Sequence, residues 1–113
     1  MKQAFRMVVG LAVCWMVASP TAHAQDGKQL YEKNCVACHG AAGKGDGPAS
    51  KAMKTKPQEF AAALKGKSDA ALTQTLKEGV VGPEGKVGHP KMTKLSDDQL
   101  QAVIQYVKQL AAQ

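Results

Sequence analysis

Cys35-Val36-Ala37-Cys38-His39 constrains this 113-residue chain more than any other feature. In a helical turn, side chains at i and i+3 share a face, so both thiols can reach the two vinyl groups of one porphyrin while the adjacent imidazole ligates its iron. The run C-x-x-C-H is the attachment sequence of one covalent c-type haem. A bare C-x-x-C would leave a redox dithiol or a zinc half-site open. His39 narrows the choice, no second C-x-x-C completes a zinc site, and the chain lacks the βαβ setting of a thioredoxin-like dithiol. A disulfide between Cys35 and Cys38 would close too small a loop to stabilise much.

Residues 1–24 read as a cleaved secretory signal peptide. Lys2 and Arg6 form a basic start, Met7 to Ala18 is apolar, Pro20 breaks the run, and Ala22-His23-Ala24 is an A-x-A cleavage site before Gln25. The apolar stretch is too short to span a bilayer comfortably, so stable membrane insertion is not expected. A lipoprotein signal at Leu11-Ala12-Val13-Cys14 is the rival, with Val13 atypical just before the cysteine. Under the first reading Cys14 and Trp15 leave with the leader, and the expected location is the periplasm.

Residues 25–113 then form one small domain. Its aromatic residues are Tyr31, Phe60 and Tyr106, thin material for a core of this size, and a haem would supply the missing apolar mass. The 13 basic residues left after the leader are all lysines against 9 acidic ones, a net +4 that two propionates would lower. Spread along the chain, the lysines form either a solvated surface or a basic rim that steers acidic redox partners. Without arginine or an aromatic-interleaved basic cluster, nucleic acid is excluded as a partner class.

The pattern predicts helices separated by glycine and proline, with no convincing strand. Asp26 and Gln29 have capping-box spacing at the start of a helix running into Cys38, with Gly27, Leu30 and Tyr31 along one side. Gly40 to Pro48 holds four glycines before its proline and must be irregular. A short helix after Pro57 would turn Phe60, Ala61 and Leu64 inward. Ser68 starts another, with Leu72 and Leu76 at i and i+4 and a stop at Gly79. Val80 to Lys94 reads as a second long loop. Ser96 caps the last helix with Gln99 at the capping-box position, and Leu100, Val103, Ile104, Val107 and Leu110 form its apolar face.

Together, C-x-x-C-H-G near the expected mature N-terminus, the glycine-rich loop ending in Gly-Pro, and the terminal Leu-Ser-Asp-Asp-Gln-Leu helix ending in Tyr-Val resemble the small bacterial class I cytochromes c. The likeness covers residues 26–111. It implies an all-α fold of about four helices wrapped around one covalent haem, received on the far side of the membrane. It also implies a crossing of the first and last helices at Gly27, Tyr31 and Tyr106. By the same resemblance Pro48 offers its carbonyl to the second ring nitrogen of His39.

The family takes its sixth iron ligand from a methionine in the loop before the last helix, and Met92 is the methionine there. It stands only three residues before Leu95, closer than usual, and His89-Pro90 occupies the place where a Met-Pro pair more often stands. His89 is therefore the alternative distal ligand. Met53 is a minor one, more suited to filling space beside the haem. The resulting expectation is a non-enzymatic, six-coordinate electron carrier, a monomer or a subunit of a periplasmic redox complex. A gas-binding or peroxidatic haem protein lacks support, since no distal acid–base pair stands out.

Overall fold

The computed structural model describes residues 22–85 and 87–113, together with Gly10 and Cys14, so the leader expected over 1–24 lies almost entirely outside the described residues. Helix α1 spans Ala22–Asn34, α2 Val36–His39, α3 Phe60–Ala63, α4 Asp69–Glu78 and α5 Asp97–Ala111, with 3-10 turns at Pro48–Ala52 and Pro83–Gly85. Strands β1 (Val80–Val81) and β2 (Val87–His89) pair antiparallel.

The longest helix, α5, has the start its sequence prescribes. Ser96 Oγ accepts from the Gln99 N–H at 3.3 Å, and Gln99 Oε1 accepts from the Ser96 N–H at 2.9 Å. Asp97 and Asp98 in its first turn suit the positive end of the helix dipole. Its apolar stripe buries Leu100, Ala102, Val103, Ile104 and Leu110, with Val107 half-buried.

Against this stripe lies α1. It crosses α5 at Gly27, where a Cβ would sit 2.3 Å from the Ala102 carbonyl oxygen and 3.2 Å from Tyr106 Cβ. The glycine lets two backbones meet, and one turn later Tyr31 is completely buried in the space this creates. Its ring packs on Phe60 at 6.0 Å and on Tyr106 at 5.4 Å, both in the tilted geometries that aromatic quadrupoles favour. The expected crossing at Gly27, Tyr31 and Tyr106 is therefore present.

By contrast α4 buries no residue fully and is tied to α5 by polar groups. Gln101 donates to Thr73 at 2.8 Å, and Asp69 accepts from Gln105 at 3.0 Å and from Lys108 at 2.9 Å. The bonds from Lys108 and Gln105 hold the Asp69 carboxyl below its usual range. Ser68 caps α4 through the Ala71 N–H, and Gly79 closes it at φ 71, as the sequence predicts.

Three expectations need correction. The first helix starts at Ala22, not Asp26, so Asp26 lies inside it, and it ends at Asn34 before the separate turn of α2. Ala61 is exposed: in one helical turn Phe60 and Leu64 share a face at i and i+4, and i+1 points elsewhere. The described residues hold five α-helices, α2 and α3 of a single turn each, in keeping with the mostly helical fold the sequence implies. The loop expected over Val80–Lys94 contains the β1–β2 hairpin.

Tyr31 gives a test of this core. Its hydroxyl donates to the Gly40 carbonyl at 2.6 Å, bridging α1 to the start of the glycine loop. Tyr31→Phe should cost about 1–2 kcal/mol because a buried carbonyl loses its partner. Burial raises the Tyr31 phenol far above its ordinary 10.0. The fold holds the neutral form, so this contribution is complete below the unfolded value and is lost as pH rises beyond it. Melting curves above pH 10 should therefore fall more steeply for wild type than for Tyr31→Phe; parallel curves would contradict the assignment.

Candidate haem site

The segment after α1 is shaped by backbone bonds. The Cys35 N–H donates to the Tyr31 carbonyl at 2.8 Å, and the His39 and Gly40 N–H groups donate to Cys35 and Val36 at 2.9 Å each, winding the single turn of α2. Cys35 and Cys38 are both free thiols, half-buried at either end of that turn. Burial, with Cys38 adding to it, pushes the Cys35 thiol up to about 11. That is opposite in direction to the depressed value of a disulfide-exchange cysteine.

The glycine loop folds back onto α2 and satisfies carbonyls that a helix end leaves open. The Gly45 N–H donates to His39 at 2.8 Å and the Gly47 N–H to Cys38 at 3.2 Å. At Gly47 a Cβ would lie 2.3 Å from the Ala37 oxygen and 2.4 Å from that of Val36, so no larger residue allows this approach. The loop is irregular as expected, and it clamps the cysteine turn in place.

His39 lies partly buried under that clamp, its ring stacked on Phe60 with centres 4.8 Å apart. Burial first, and the neighbouring His89 second, lower its pKa, which keeps the imidazole neutral with a lone pair for a metal. Its Nδ1 is buried with no hydrogen-bond partner. Pro48 opens the 3-10 turn packed on α2, yet its carbonyl does not accept from Nδ1 in this structure. A buried polar atom left this way costs about 1–3 kcal/mol, and native folds seldom keep one without a further partner. An iron on one ring nitrogen and a carbonyl on the other would satisfy both.

From the other side comes the β1–β2 hairpin, in which Val80 pairs with His89. The His89 ring centre lies 6.0 Å from that of His39, with their planes 34° apart. Val80, in register with His89, and Val81 are 44% and 70% exposed, which leaves apolar surface on the hairpin that carries His89. Met92 is half-buried, with its N–H donating to Leu76 at the end of α4. Met53, expected to fill space beside the haem, is 38% exposed at the end of the Pro48–Ala52 turn. Among the described residues no three His, Cys, Asp or Glu side chains converge as a purely protein-built metal site. Two thiols on one turn, a neutral buried imidazole with an orphaned nitrogen and apolar surface on the hairpin fit a haem. Sequence reasoning took Phe60 only as an inward-facing residue; its place as the ring that orients His39 carried no separate signal.

A helical domain wrapped around a C-x-x-C-H turn defines a haem-attachment domain. The cytochrome c family model matches residues 24–111, and the chain belongs to that family. It therefore carries covalently bound haem c and works in haem-based electron transfer. Among solved structures it is similar to the Kuenenia stuttgartiensis reducing HAO-like protein complex Kustc0457/Kustc0458, with 27% identity and a TM-score of 0.66. That match covers 76% of this chain and 41% of the other. It is also similar to the KustC0563 c-type cytochrome, with 25% identity and a TM-score of 0.57 over 75% of this chain and 96% of that one. The chain thus spans about two fifths of the first structure's chain and nearly all of the second's. No curated protein matches it by sequence. Among the described residues no helix is long and apolar enough to cross a membrane.

Proposed function

We propose that this protein is a periplasmic carrier of single electrons whose six-coordinate haem is held by thioethers from Cys35 and Cys38 and by His39. The bound haem supplies a one-electron iron couple; the chain supplies ligands, burial and a docking surface. The observation that carries this reading is the closeness of the His39 ring, on the cysteine turn, to the His89 ring at the end of β2, with centres 6.0 Å apart. Two strong ligands supplied by the chain would leave the bound haem no position open to substrate, so the site would suit electron exchange rather than turnover of a ligand. Pro48 is assigned to the His39 ring, its carbonyl accepting from Nδ1 once the haem is attached. The leader features of residues 1–24 support export.

Charge favours partners with acidic docking surfaces. Lys28, Lys44, Lys77 and Lys108 are paired with Glu32, Glu59, Asp97 and Asp69. Lys51, Lys54 and Lys56 after Pro48, and Lys91 and Lys94 after His89, are exposed and have no ion-pair partner among the described residues. The first segment runs from the turn packed on α2, and the second follows His89 along the chain. Stopped-flow electron exchange with an acidic partner should slow as salt shortens the Debye length from about 30 Å at 0.01 M to about 8 Å at 0.15 M. The triple variant Lys51→Glu, Lys54→Glu, Lys56→Glu should lower the low-salt association rate about tenfold. A fast but salt-independent rate rejects steering, and no exchange at all rejects the carrier.

The likeness to part of a redox complex favours one further reading, in which the domain is a dedicated electron-transfer subunit. Native purification separates the two: a shuttle elutes alone, a subunit with its oxidoreductase.

A further inference from the structure

We infer that the sixth position of the haem is taken by His89, so that the iron sits between two imidazoles rather than between His39 and Met92. This rests on the carrier reading above and deepens it by naming the second ligand. Three observations carry it.

The first is distance. A metal–imidazole bond of about 2.0 Å, with about 1.1 Å more from nitrogen to ring centre, spaces two rings on opposite sides of one metal about 6 Å apart. The His39 and His89 ring centres are 6.0 Å apart.

The second is the proton. His89 Nδ1 lies 2.8 Å from the Pro90 carbonyl oxygen. A carbonyl can only accept, so Nδ1 carries the hydrogen and Nε2 is left with a free lone pair. A ring that donates from one nitrogen to a carbonyl while offering the other is the arrangement metal-bound histidines adopt, and it raises ligand basicity. The histidine followed by proline in this sequence thus has its tautomer fixed by that proline's own carbonyl.

The third is anchoring. His89 ends β2 and pairs with Val80, which holds its backbone in the hairpin. Gly79 brings that hairpin close, since a Cβ there would lie 2.6 Å from the His89 carbonyl oxygen. Met92 is fixed differently, by its N–H to Leu76 at the C-terminal end of α4. Its neighbour Leu95 donates back to its carbonyl at 3.4 Å, a tight turn into the last helix that shortens the reach of the loop at that point.

The test uses the purified haem-loaded protein and variants at both positions, read by visible absorption, electron paramagnetic resonance and potentiometry. Ferric wild type should be low-spin and lack the weak band at the red edge of the visible spectrum that reports sulfur on iron. Met92→Leu should keep the wild-type spectrum and midpoint potential. His89→Ala should lose the low-spin imidazole signature, and added imidazole should restore it. A sulfur band in wild type that disappears in Met92→Leu and survives in His89→Ala overturns the inference while leaving the carrier intact. A high-spin ferric wild type that binds added ligands overturns both.

Discussion

Replacing Cys35 and Cys38 together with alanine should abolish covalent haem and with it most of the helical signal and the cooperative melt. The buried apolar side chains among the described residues are Tyr31, Phe60, Leu100, Ala102, Val103, Ile104 and Leu110, a small core for a domain of this length. Burying a large apolar side chain is worth about 1.5–3 kcal/mol, and small domains bury too little to offset chain entropy with ease. Cys35 and Val36 themselves pack against the Tyr31, Phe60 and Leu110 cluster, so the attachment turn and the core are one structure. The His39 Nδ1 orphan adds a cost that only the loaded protein removes. Circular dichroism and thermal melts of the double variant decide the matter, and a melt matching wild type would show that the polypeptide core suffices.

Gly27→Leu should be nearly as damaging although it touches no haem residue. A single Cβ already lies 2.9 Å from the Ala102 carbonyl carbon and closer to its oxygen, and backbone at both sides of the crossing cannot turn away as a side chain could. The helices would have to separate along the line that buries Tyr31. Overpacking costs about 1–3 kcal/mol at an ordinary core site and more where backbone must move, a large share of a typical stability of about 5–15 kcal/mol. Better helix propensity at position 27 returns only about 1 kcal/mol. Gln29→Ala, on the exposed side of the same helix, should leave the melt unchanged. Equal melts for the two variants would contradict the crossing.

Local rules that act over one turn are legible in the sequence. Ser68, Gly79 and the Ser96–Gln99 box mark helix ends because each satisfies backbone groups within three or four residues, and the structure has all of them. The cysteine turn was legible for the same reason. The β1–β2 hairpin was not, since two- and three-residue strands interrupted by Gly82, Pro83, Gly85 and Gly88 show no alternation. Its connection holds Glu84 at φ 63, a conformation composition does not announce. That hairpin sets His89 against His39, so the choice between His89 and Met92, open in the sequence, turns on the element the sequence hid. The start of α1 is not legible, because Asp26 and Gln29 have cap spacing while the residues before them continue the helix.

The most direct test is mass spectrometry of the purified protein after acidified-solvent extraction and proteolysis. The account predicts one haem per chain that resists extraction and stays on the peptide containing Cys35, Cys38 and His39, with neither thiol open to alkylation. A chain that releases its haem into the solvent, or yields that peptide with both cysteines alkylated, would contradict it.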